Sequence, residues 1–193
     1  MKSAQKTLAA REKVLETAIS VFNKKGMKFT MDDVAAEASM SKKTIYVLFH
    51  DKNTMLIEMV DYCFDQIKES ERKVLDDQRL STVEKVKKIL GVLPEGYKNV
   101  DFSQLYQLKD KYPDIYQRLE ERLESGWEET LNLMKQGMEE GSIRKVNLVM
   151  VKTMFEASLE QFFKRDVLIS HDISYRKALD EVVSILVDGI KAR

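Results

Sequence analysis

The chain has little that breaks a helix. Its 193 residues include two prolines and seven glycines, and it shows neither alternating apolar and polar runs nor Asn-Gly hairpin signals, which excludes a β-sheet architecture. Cysteine is almost absent: Cys63 stands alone, so no internal disulfide can form, and a single thiol at a helical apolar position reads as a small buried hydrophobe. His50 and His171 are the only histidines, too few for a zinc cluster, and no glycine-rich phosphate loop occurs. No apolar run reaches the ~18 residues of a membrane helix, and the opening MKSAQKTLAAREK lacks a signal-peptide core. The expectation is an all-α, cytoplasmic protein with no cofactor, no metal and no membrane partner.

Net charge is also missing, which would argue against a nucleic-acid partner, but its distribution is uneven. Residues 1–55 hold ten Lys and Arg against six Asp and Glu, net +4, and the remainder is net −4. The positive end contains the stretch TMDDVAAEASMSKKTIYVLF, Thr30 to Phe49, which reads as two short helices joined by a tight turn. Thr30 caps the first, with Asp32 and Asp33 at the positive end of its dipole, and this helix ends near Ala38. Ser41 caps the second. Val34, Ala35, Ala38, Ile45 and Phe49 turn inward, which leaves Lys42, Lys43, Thr44 and Tyr46 outside. A second helix that opens on basic and hydroxyl residues is the geometry of a recognition helix in a major groove, although similar hairpins occur in helical proteins that never touch DNA. Upstream lies the apolar stripe Val14, Leu15, Ala18, Ile19, Val21 and Phe22 with Gly26 as its stop. Downstream, Asp51-Lys52-Asn53 starts a long helix whose inner face carries Met55, Leu56, Met59 and Val60.

In this order the residues resemble the DNA-binding head of the TetR (tetracycline-repressor-like) family of bacterial regulators. The matching positions are Leu15, Ala18, Phe22, Gly26, Phe29-Thr30-Met31, Val34-Ala35, Ala38, Ser41-Lys42, Thr44-Ile45-Tyr46, Phe49, Asp51-Lys52 and Met55-Leu56. They span residues 11 to 60. One departure is Ser39 in the hairpin turn, where the family usually has glycine; a non-glycine residue is then expected in a left-handed conformation.

Further along, Ser81-Thr82 caps a helix that runs to Leu90–Leu93 before Pro94 and Gly96, and Phe102 to Lys109 reads as a short helix. Pro113 opens a long amphipathic helix from Tyr112 to Gly141, with Ile115, Tyr116, Leu119, Leu123, Trp127, Leu131, Met134 and Met138 on one side. The glutamate pairs at 120–121, 128–129 and 139–140 form its solvated face rather than an acid/base site, and no enzyme constellation survives. Helices from Asn147 to Lys164 and from Asp172 to Lys191 have wide apolar faces.

These readings assign residues 1–52 to a helix-turn-helix head and 53–193 to a helical ligand-binding and dimerisation domain. Lys42, Lys43, Thr44 and Val47 are expected at base edges, and Thr30, Tyr46, His50 and Lys52 at phosphates. The resemblance implies a homodimer on a palindromic operator in double-stranded DNA, formed through the last two helices, with Phe163 and Val183 as interface positions. It also implies a cavity for a mostly apolar small-molecule effector, for which the candidates are Met59, Tyr62, Cys63, Tyr97, Phe102, Tyr106, Leu123, Trp127, Met134 and Phe155. The expected behaviour is repression relieved by that effector. The reading from another class is a helical protein-interaction module whose head does not bind DNA.

Overall fold

The computed structural model describes residues 2–94, 97, 105 and 108–192, and these contain helices but no named strand. The head consists of α1 (Lys2–Lys25), a single 3-10 turn (Gly26–Lys28), α2 (Met31–Glu37) and α3 (Lys42–Leu48). α4 (Lys52–Asp76) leaves the head as a 25-residue rod, packed on α1, on α5 (Thr82–Leu90) and on α7 (Pro113–Glu124). The four-residue α6 (Leu108–Lys111) leads into α7, followed by α8 (Glu128–Glu139), α9 (Leu148–Lys164), the short α10 (Val167–Ser170) and α11 (Tyr175–Ile190). α5 packs on α8 and α11, and α9 on α11 and α7.

Local chemistry fixes where these helices begin. Side chains of Thr30, Ser41, Asp51, Ser81, Asn147 and Ser174 each accept a hydrogen bond from a backbone N–H in the first turn of the helix that follows. At α2 and α5 the bond is reciprocated, with Asp33 and Glu84 accepting from the cap residue's own N–H. The head core closes over Val14, Ala18, Phe29, Val34, Ile45 and Phe49, all essentially inaccessible to water. Ser39 does adopt a left-handed conformation, φ 54°. The Met40 N–H donates to Ala35 O at 2.9 Å across it, a six-residue closure that holds serine in a conformation costing about 1 kcal/mol.

Three expectations require correction. The helix from Tyr112 to Gly141 is two helices, because Gly126 turns to φ +73° with Ser125 extended beside it. The positive φ favours glycine there, and a Cβ at residue 126, 2.7 Å from Lys68 Cε, would also displace that side chain. The apolar spacing continues across the break, which is why periodicity alone runs through it. The last helix starts at Tyr175 and not at Asp172, since Asp172 also has positive φ, 53°, and Ser174 provides the cap. Phe163 and Val183 lie in the subunit's own core; the apolar side chains that α9 and α11 leave to solvent are Val149, Met150, Met154 and Ile185. Most of the expected Phe102–Lys109 helix lies outside the described residues.

The α2 capping box makes a pH prediction. Lys25 Nζ, 2.6 Å from Asp33 Oδ1, and the Thr30 N–H, 2.9 Å from Oδ2, hold the Asp33 carboxyl down at about 2, the lysine contact contributing most. A depressed carboxyl adds stability above its unfolded value and loses it as pH falls through the folded one. Asp33→Asn should therefore lower the melting temperature at pH 7. That difference should shrink below about pH 4, the unfolded carboxyl range, and vanish near pH 2, as thermal melts across this range will measure.

Candidate nucleic-acid interface and effector cavity

Seven residues make α3, and its orientation follows from burial. Ile45 and Phe49 have no exposed surface, so the helix presents Lys43, Thr44, Val47 and the exposed half of Tyr46 to solvent. Val47 is 76% exposed. Thr44 Oγ1 lies 2.8 Å from the capping Ser41 Oγ, and so the hydroxyl is preset relative to the helix start. Lys42 reaches back to form an ion pair with Asp32 on α2, a countercharge on the recognition face that sequence reading did not weigh. That contact raises the lysine's pKa above its ordinary value. Thr30 and His50 stand exposed at the ends of α2 and α3.

Lys52 departs from its expected phosphate role. Its side chain turns into the protein, where Nζ donates to Met27 O and Phe29 O, both at 2.7 Å. Nζ also lies 4.4 Å from the centre of the Phe29 ring and 5.8 Å from that of Tyr112. Burial lowers its pKa, with the charge of Asp33 opposing. A cation at a helix start reads as outward from sequence, but the 3-10 turn offers two carbonyls without helix partners, and they capture it. Arg11 does similar work opposite, donating to Leu48 O and pairing with Glu58 of α4 while stacking 4.6 Å from the Phe49 ring centre.

Behind the head lies a cavity of about 200 Å³. Of the sequence candidates, Met59, Cys63, Tyr97, Leu123, Trp127 and Phe155 line it. Tyr62 does not: its hydroxyl donates to Glu16 Oε1 of α1 at 2.8 Å. Met134 is wholly buried but also absent from the lining, and Phe102 and Tyr106 lie outside the described residues. Burial pushes the Cys63 thiol up to about 12, so it is protonated and unreactive at neutral pH.

Sequence reading missed the cavity's polar members, Lys68, Glu71, Arg122, Thr130 and Glu156. Lys68 and Glu71 interrupt the apolar stripe of α4 at a spacing of three, a visible signal. Lys68 Nζ donates to Glu71 Oε2 at 2.7 Å and to Gly126 O at 2.5 Å, tying α4 to the α7–α8 break. Two arginines of α7 continue this tie, Arg118 pairing with Asp61 at 2.7 Å and Arg122 with Asp65 at 2.6 Å.

The sequence profile of bacterial regulatory proteins of the tetR family matches residues 14–59, from the first core valine of α1 through the first turns of α4. The helix-turn-helix head is thus similar to that of the TetR family of bacterial regulators. It is 26% identical over 181 residues to the uncharacterized HTH-type transcriptional regulator YvaF of Bacillus subtilis (strain 168), covering 94% of this chain and 95% of that one. Among solved structures, a TetR transcription regulator from Haloarcula marismortui ATCC 43049 shares the fold with a TM-score of 0.71 at 14% identity, over 94% and 97% of the two chains. The regulator FadR from Bacillus subtilis, in complex with stearoyl-CoA, aligns with a TM-score of 0.62 at 18% identity, over 92% and 98%. Among the described residues no group of three or more His, Cys, Asp or Glu could hold a metal, and no helix is long and apolar enough to cross a membrane.

Lys52 and Lys43 should separate cleanly on mutation. Lys52→Met keeps the stem and removes two hydrogen bonds to carbonyls, which should destabilise the head by about 1–3 kcal/mol and leave the salt slope of DNA binding unchanged. Lys43→Ala should leave the melting temperature within about 0.5 kcal/mol of the parent and weaken duplex binding. Paired melts and binding titrations at several salt concentrations will test both.

Proposed function

We propose that this chain is a TetR-family repressor that binds a palindromic operator as a homodimer and is released by a small, amphipathic ligand. The observation that carries the reading is α3, whose buried Ile45 and Phe49 fix Lys43, Thr44 and Val47 outward from a doubly capped hairpin. In this reading Lys42, Lys43, Thr44 and Val47 meet base edges while Thr30, Tyr46 and His50 contact phosphates. Lys42 reaches its base only by leaving Asp32. Residues 1–52 act as the DNA-reading unit and residues 53–193 as the ligand and dimer unit.

The exposed apolar side chains of α9 and α11 support the dimer. Val149, Met150 and Met154 recur at helical spacing on one face of α9, with Ile185 on α11, and a second copy of the same pair would bury them symmetrically. Two α3 helices would then meet successive major grooves about 34–36 Å apart, or a multiple of that. FadR from Bacillus subtilis in complex with stearoyl-CoA supports reading the cavity as an effector site. The rod that would transmit its occupancy is α4, because Lys52 fixes one end to the head while Asp61, Asp65 and Lys68 hold the rest against α7 and the α7–α8 break. A ligand that favours a tilted α4 by ~1–3 kcal/mol suffices for a 5- to 150-fold loss of operator affinity.

Duplexes selected from a random pool should converge on an inverted repeat, bound far more tightly than bulk DNA at fixed salt. Selection without convergence would leave only non-specific binding and end the operator reading. Met154→Glu should give a folded monomer in sedimentation that has lost tight operator binding; a dimer in that variant would move the interface elsewhere.

A further inference from the structure

The shape and charge of the cavity carry more than a generic apolar ligand. Its wall on α4 runs from Leu56 to Glu71, fifteen residues or about 22 Å of helix at 1.5 Å per residue. About 200 Å³ drawn out over that length suits an extended chain. The end near the head is aliphatic and aromatic, with Ile19 and Phe22 of α1 reaching into it. The charged side chains of the lining, Lys68, Glu71, Arg122 and Glu156, gather at the far end beside the α7–α8 break.

At that end Lys68 and Arg122 are paired, whereas Glu156 has the ammonium of Lys152 beside it, 6.0 Å from the Trp127 ring centre, but no hydrogen bond on one oxygen. Lys68 is held by Glu71 and the Gly126 carbonyl, and Arg122 is held by Asp65 and Asp61. Glu156 Oε1 is buried with no hydrogen bond. Lys152 Nζ lies 3.4 Å from it without hydrogen-bond alignment and donates instead to Glu124 O at 3.2 Å. Burial raises the Glu156 carboxyl, Lys152 opposes this, and the charge of Glu124 adds to it. Glu71 is likewise raised by burial, opposed by Lys68 and reinforced by Glu129. Beside Glu156 stand two aromatic rings in edge contact, Trp127 and Phe155, with centroids 5.7 Å apart. A buried carboxylate oxygen with no hydrogen bond, near further carboxylates, is a seat for a hydrogen-bond-donating cation.

We infer that the effector is a linear aliphatic amine, its chain lying along α4 toward Phe22 and its protonated head donating to Glu156 beside Trp127. This inference rests on the cavity being the effector site and narrows that site to a cationic amphiphile, excluding a fatty carboxylate. The head supplies the hydrogen bond that Glu156 lacks, and the tail fills the slot between α1 and α4, where the head and the rod meet.

The test compares dodecylamine, dodecanol and dodecanoate, which share a tail, each below its micelle concentration. Binding is read from Trp127 emission and, separately, from release of the selected operator duplex. Dodecylamine should bind about tenfold to a hundredfold more tightly than dodecanoate, the range of one charge-assisted hydrogen bond, with dodecanol between them. Hexylamine should bind more weakly than dodecylamine, since the shorter tail leaves the slot part empty. Glu156→Gln should remove the amine's advantage over dodecanol while its melting temperature stays near the parent's. Tighter binding of dodecanoate, an amine preference that survives Glu156→Gln, or no emission change with any of the three would overturn the inference. Amine binding without operator release would uphold the ligand class and overturn only its role as inducer.

Discussion

The ammonium of Lys52 is the joint on which the molecule's two halves depend. Partly removed from water, it gives up hydration for two carbonyls of the 3-10 turn and the face of Phe29, a trade that favours one geometry because no other site nearby offers both. Arg11 clamps the opposite side through Leu48 and Glu58. The two cations tie the first turns of α4 to the 3-10 turn and, through Arg11, to the end of α3.

The other end of α4 is held by a different chemistry. Asp61 and Asp65 face arginines of α7, and Lys68 reaches the carbonyl exposed where Gly126 breaks the helix. These contacts are polar and partly solvated, so each is individually weak and can be exchanged for another. The head end, by contrast, is sealed by Phe29, Phe49 and Met55. One end of α4 is packed in apolar core and the other is held by polar ties around a cavity.

Much of this was legible in the sequence because its causes are local. Caps at Thr30, Ser41, Asp51 and Ser81 act over three residues, and the strained turn at Ser39 followed from one substitution in a recognisable pattern. What escaped reading depended on distant partners. The break at Gly126 is invisible to periodicity because Leu123 and Leu131 keep their spacing through it, and Lys52 looked outward until the carbonyls of residues 27 and 29 were placed beside it. Breadth of the apolar faces on α9 and α11 was apparent, but Phe163 and Val183 proved to be interior while Met154 and Ile185 face solvent. Glu156 gained meaning only from the burial of one oxygen, which no spacing rule encodes.

The division of labour within α3 has a consequence for how such a protein can change over generations. Folding of the hairpin is secured by Ile45, Phe49 and the Ser41 cap, none of which needs to touch a base. Lys43 and Val47 contribute nothing visible to that core, so single substitutions at these two positions carry almost no folding penalty. With Lys43 and Val47 at base edges as proposed, new target sequences would be reachable by small steps through folded intermediates, and a duplicated copy could acquire a different set of genes while its cavity and scaffold stay as they are.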